Sequence, residues 1–152
     1  MRTKPRDLLE VEIRHLPDVP VFHEFTLFGG QTPNPDRLIP PTFRRLHERL
    51  TDFFLDPDSL LHIGVPELSD GLLTSYDCCI EFPLPGSLDE VKIHRGGRYT
   101  VLTVEKIPSK ISSAIRTFQG DYLPDHGLVL DEECPTYETY FQDTLEYCVP
   151  IR

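Results

Sequence analysis

The sequence predicts an α+β domain made of two strand-helix-strand-strand units. Three observations predict it: two segments with helical apolar spacing, a set of short β-rich runs around them, and a repeat at an offset of 68 residues that lays one helix on the other. In that repeat Pro40 falls on Pro108, Phe43 on Ile111, Leu46 on Ala114, Leu50 on Phe118, Phe54 on Tyr122, Leu55 on Leu123, Leu60 on Leu128 and Leu61 on Val129. The match keeps the apolar helix face, the helix exit and the start of the following strand. Two such units joined at their edges make an antiparallel sheet with both helices on one face and pseudo-twofold symmetry, burying both apolar stripes in a core. A groove between the related helices is then the expected place for a pocket.

The first helix is expected over about Pro41–Leu55, where Phe43, Leu46, Leu50, Phe53 and Phe54 recur at spacings of three and four, with Arg44, Arg45, Glu48 and Arg49 opposite them. The second is expected over about Ser109–Leu123, on Ile111, Ala114, Ile115, Phe118 and Tyr122, with Gly120 weakening its end. A proline stands at the start of each, where its missing donor costs nothing. Strands are expected near Leu9–His15, Val21–Phe28, Leu60–Val65, Tyr76–Phe82, Arg98–Glu105, Val129–Glu132, Thr136–Gln142 and Glu146–Ile151, because these runs are short, rich in β-branched and aromatic residues, and bounded by breakers. Gly29–Pro40 has too many prolines and glycines for an element and reads as a surface loop, a lid over a pocket being the alternative; the sequence leaves open whether it covers one.

At 152 residues the chain suits one domain, with repeat one over about residues 8–83 and repeat two over about 91–152. Its 39% hydrophobic and 26% charged residues fall in the globular range. A net charge of −10 opposes direct nucleic-acid binding and anionic membranes. No apolar run reaches the length of a membrane span or a signal peptide, so a cytoplasmic protein is expected. The cysteines at 78, 79, 134 and 148 lack zinc or redox spacing and read as small buried side chains; the six histidines are scattered, so no metal and no cofactor is expected.

Four segments carry a resemblance. Tyr76-Asp-Cys-Cys-Ile-Glu-Phe-Pro83, Gly96-Gly-Arg-Tyr-Thr-Val-Leu102, Asp121-Tyr-Leu-Pro-Asp-His-Gly127, and Cys134-Pro-Thr-Tyr-Glu-Thr-Tyr140 followed by Tyr147-Cys-Val-Pro-Ile151 occur in this order and spacing. Over about residues 72–152 the chain thereby resembles the GyrI-like small-molecule-binding domain, which also serves as the effector-binding domain of AraC-type and MerR-type regulators. The resemblance implies a duplicated strand-helix-strand-strand fold, an aromatic pocket between the repeats, and one acidic residue in it, matched here by Glu138. It implies lipophilic cations such as drugs and other xenobiotics as ligands, and for some stand-alone members a hydrolase that opens reactive cyclopropane rings. Relatives often carry a tryptophan near the second helix; this chain has none, and Phe118 and Tyr122 are the aromatic replacements.

Alternation puts Thr136, Glu138 and Tyr140 on one side of their strand, and Tyr147 lies on the strand that would pair with it. A carboxylate among aromatic rings is costly to bury alone, and a bound cation relieves that cost. The candidate ligand-binding residues are therefore Glu138, Tyr140, Tyr147, Phe118 and Tyr99, with Glu138 catalytic only if the protein is a hydrolase. The expectation is a stand-alone binding module for hydrophobic or cationic small molecules, more a binder than an enzyme. The alternatives are a hydrolase in the same pocket, or a protein partner such as gyrase bound and inhibited through the acidic surface. Oligomeric state is left open by the sequence.

Overall fold

The computed structural model describes residues 9–28, 35–69, 72–84, 89 and 91–152. They fall into two compact units: a central unit, Asp18–Arg95, and a terminal unit made of the segment up to Pro17 together with Gly96–Arg152. The central unit contains β2 (Val19–Leu27), α1 (Pro35–Thr51), β3 (His62–Ser69), β4 (Leu72–Glu81) and β5 (Val91–His94). Its strands run in the order β3-β4-β2-β5, each antiparallel to its neighbour. The terminal unit contains β1 (Glu10–Leu16), β6 (Gly97–Glu105), α2 (Pro108–Thr117), β7 (Tyr137–Tyr140) and β8 (Thr144–Pro150), ordered β1-β6-β8-β7 and again antiparallel. The α+β class and the strand-helix-strand-strand order of each half are those the sequence predicts.

The units do not coincide with the sequence repeats, because each repeat gives its leading strand to the other unit. β1 precedes β2 in the chain yet pairs with β6, and β5 precedes β6 yet pairs with β2. Val-Lys-Ile-His, the run that forms β5, has only two apolar residues and is not among the strands the sequence predicts.

In the central unit α1 packs on β2 and β4. Leu46 and Leu50 are fully buried, Arg49 lies over the Phe22 ring at 4.7 Å, and the Thr26 hydroxyl donates to that of Thr42 at 2.7 Å. Pro35–Pro40, expected as loop, is the first part of this helix, while residues 29–34 of that expected loop lie outside the described residues. Neither Pro40 nor Pro41 donates a backbone bond, so helix this far upstream forgoes two of them; the Thr42 hydroxyl donates to the Leu38 carbonyl at 3.0 Å within that stretch. Phe54, expected on the buried face, lies beyond the helix at a φ of 60° and is 98% exposed, because the chain turns back there with the Leu55 amide donating to the Leu50 carbonyl.

In the terminal unit the second helix occupies the expected span, but its period changes partway. α2 stops at Thr117, passes into a π-helical turn over Phe118–Tyr122, and finishes in a short helical turn over Leu123–Asp125. The strand expected at Val129–Glu132 is only a single bridge between Leu130 and Ile151; Val129 and Leu130 are largely exposed, and Asp131 instead turns the chain by accepting from the Glu133 amide. The repeat therefore holds through the helix face and fails beyond it, where β3 begins at His62 in the central unit and the matching Leu130 makes only a single bridge.

Candidate functional site

The site is built on the helix-facing side of the terminal sheet. Leu102 of β6 and Leu145, Tyr147 and Val149 of β8 form one buried cluster with Phe118, and Ile111, Ala114, Ile115 and Tyr122 pack on it half-buried. Alternation along β7 places Tyr137 and Thr139 on one face, both buried, and Glu138 and Tyr140 on the other, both half-buried. Glu138 sits directly across from Tyr147. The Tyr140 hydroxyl donates to Glu138 Oε1 at 3.2 Å. These three side chains come together as the sequence predicts, because period two on β7 and antiparallel register on β8 put them on one face.

The π-helical turn supplies what stands behind them. Phe118, the fully buried aromatic of that turn, meets the Tyr147 ring edge-on, with centroids 6.1 Å apart and planes at 84°. Phe118 stacks on Tyr122 at 5.7 Å, and Tyr122 on His126 at 3.9 Å. Gln119, next in the turn, donates through Nε2 to the Tyr147 hydroxyl at 2.6 Å. A π turn often marks a functional site; here it contains both Phe118 and Gln119, the residues that meet the ring and the hydroxyl of Tyr147. Burial, and secondarily the Glu138 charge, pushes the Tyr147 hydroxyl up to about 12, so it stays protonated at neutral pH and able to donate.

Tyr99 does not join this group. On β6 it alternates with Leu102's face and lies on the other side of the sheet, fully buried, with its ring edge-on to Tyr137 at 5.1 Å and its hydroxyl donating to the Pro135 carbonyl at 3.0 Å. Burial pushes that hydroxyl's pKa well above the ordinary tyrosine range, as suits a structural anchor. Sequence pattern alone does not single out Gln119 or His126. The spacing of four from Phe118 to Tyr122 to His126 was visible, but a π turn alters which side chains share a face, and no local pattern announces one.

Among the described residues no three His, Cys, Asp or Glu side chains converge as a metal site. Cys78, Cys79 and Cys148 are buried thiols and Cys134 is half-buried; all four are free, and burial pushes Cys78 and Cys148 up to about 12, leaving them unreactive at neutral pH. No described helix is long and apolar enough to cross a membrane.

Neither the protein-family models nor the curated protein sequences include a match to this chain. Solved structures do match. SAV2435, solved bound to tetraphenylphosphonium, aligns over 94% of both chains at 18% identity and a TM-score of 0.60. The C-terminal domain of EcmrR aligns over 95% of this chain and 98% of its own, at 8% identity and a TM-score of 0.63. A hydrolase from Listeria innocua aligns over 94% of this chain and 92% of its own, at 10% identity and a TM-score of 0.60. At these identities the likeness is one of fold, and the fold of this chain is the one shared by these proteins, in agreement with its resemblance to the GyrI-like domain.

Proposed function

We propose that the protein binds lipophilic, positively charged small molecules at the Glu138 face of the terminal unit. The observation that carries this is a half-buried carboxylate, Glu138, facing Tyr147 and held by the Tyr140 hydroxyl, with the rings of Phe118 and Tyr122 behind it. Such a carboxylate prefers a cation that brings its own apolar surface: the ligand repays the desolvation of the charge, and each well-placed ring adds about 0.5–2 kcal/mol of cation–π attraction. Tyr140 and Tyr147 are the contact residues, and Phe118, being fully buried, supports them from beneath. A net charge of −10 raises the local concentration of cations around the whole molecule. That a protein of the same fold was solved with tetraphenylphosphonium supports the ligand class.

The hydrolase described among the matching structures favours a second reading, in which Glu138 takes a proton from water and a tyrosine hydroxyl donates to the oxygen that gains charge on an electrophilic substrate. One experiment tests both. Tetraphenylphosphonium at about 100 times its dissociation constant is expected to stabilise the protein by about 2.7 kcal/mol, seen as a raised Tm, and Glu138→Gln is expected to abolish the shift. Equal shifts in both proteins, or none, would remove Glu138 from the site. Mass spectrometry after incubation with cyclopropane-containing electrophiles decides between binding and turnover: intact compound supports the binder, and a hydrated product that Glu138→Gln fails to form supports the enzyme.

A further inference from the structure

We propose that β1 is a self-pairing edge, through which two copies of this chain join antiparallel about a twofold axis at Ile13. Among the described residues β1 pairs with β6 alone, over an unbroken register from Glu10 opposite Thr103 to Leu16 opposite Gly97. An edge of this length exposes a row of backbone donors and acceptors that proteins usually blunt with proline, charged side chains, a bulge or a very short strand. The run Glu-Val-Glu-Ile-Arg-His-Leu contains no proline and its register has no bulge; its charges, Glu10, Glu12 and Arg14, are of both signs, so they oppose some pairings and favour another. At its centre Ile13 is 50% exposed, more so than the other apolar residues of the strand, Val11 and Leu16.

The charges select one way of pairing. A twofold axis perpendicular to the sheet keeps each residue facing one on the same side, so the axis passes through a single residue pair. With the axis at Glu12, two glutamates face each other; with it at Arg14, two arginines do; with it at Val11, Glu10 faces Glu12. Centred on Ile13, Glu12 faces Arg14 of the second copy, Arg14 faces the second copy's Glu12, Val11 faces His15, and the two exposed isoleucines meet. Opposite charges directly across an antiparallel pair attract and like charges repel. The side chains of Glu12 and Arg14 already contact each other within one chain, so both lie on the face where the cross-pairs form. Arg14 is further held by Glu146 at 2.9 Å, which orders its guanidinium before any partner arrives.

Sedimentation equilibrium from low micromolar to submillimolar protein is expected to show a monomer–dimer equilibrium. Ile13→Lys and Ile13→Glu alter a half-exposed side chain at the axis and leave the Arg14–Glu146 contact in place. Each alone is expected to weaken the dimer by about two- to fivefold by placing like charges opposite each other. Mixed one to one, the two variants are expected to recover a heterodimer, because the introduced lysine and glutamate then face each other. Circular dichroism of each variant, and Tm at concentrations where the parent is monomeric, should match the parent. A protein that stays monomeric at every concentration, a dimer indifferent to both substitutions, or a mixture that fails to recover pairing would each overturn the proposal.

Discussion

The central and terminal units share one plan, a helix laid on a four-stranded antiparallel sheet, yet they close it differently. Beneath α1 the central unit is a filled interior: Leu46 and Leu50 are fully buried, the Phe22, Phe53 and Phe82 rings pack within 5.6 Å of one another, and Gly64 leaves the space that the Tyr76 ring occupies. No residue of α2 is fully buried; Ile111, Ala114 and Ile115 are half-covered, and the surface they meet carries the Tyr147 hydroxyl and ends at Glu138 and Tyr140. Both units keep polar groups under the helix, the buried Thr26–Thr42 hydroxyl pair in the central unit among them, so the contrast lies in how far each helix is covered. That contrast bears on the proposed ligand site, since a partly covered helix face needs little repacking to admit a molecule, whereas a filled one must open a cavity.

Truncation on the two helices gives the widest test of that contrast. Leu50→Ala in the central unit is expected to cost about 2–5 kcal/mol of unfolding free energy, while Ile115→Ala, on a half-buried helix face, should cost less than half as much; similar losses in urea titrations would erase the distinction between the units.

Acid should reach the central unit through His94, whose imidazole is held down at about 4, first by burial and then by the Lys92 charge. The neutral ring is the form the fold favours, so its contribution is intact above pH 6.5 and is lost as the pH falls from there through about 4. The loss is on the order of 3 kcal/mol. His94→Gln should flatten that part of the pH–stability curve, and an unchanged slope would show that other groups carry it.

A smaller effect is expected at Gly64, where an added Cβ would stand 1.8 Å from the Tyr76 hydroxyl oxygen. Gly64→Ala overpacks a filled interior, and about 1–3 kcal/mol of destabilisation is expected. Pairing it with Tyr76→Phe, which removes the clashing oxygen, should recover part of that loss in a double-mutant cycle.

The smallest effect belongs to the terminal unit. The Thr100 hydroxyl is fully buried and makes no hydrogen bond among the described residues, so Thr100→Val is expected to be neutral or to stabilise by up to about 1 kcal/mol. A clear loss of stability there would mean that the hydroxyl has a partner and that this unit is more tightly arranged than its helix suggests.

Much of the architecture was legible because it depends on local period. Apolar residues three and four apart announced α1 and α2, and alternation announced the strands and placed Glu138 and Tyr140 on one face; the register of β8 then brought Tyr147 to them. What was not legible depends on distant partners. β5 is a strand because β2 offers it an edge, and the apolar run at Val129 is not one because only a single bridge to Ile151 forms there. Tyr99 looked like a site residue by motif, and the parity of its position on β6 turned it to the other side of the sheet.

The α+β class, the two helices, the duplicated order of elements and the glutamate-tyrosine pair of β7 follow from side-chain period and the chemistry of neighbouring residues. The gift of each repeat's first strand to the other unit, the π turn that sets Phe118 and Gln119 against Tyr147, and the deeper burial of α1 than of α2 follow from contacts between distant segments. Strand partners and helix burial are settled by which surfaces meet in space, and the free energy of those meetings belongs to residues far apart in the chain.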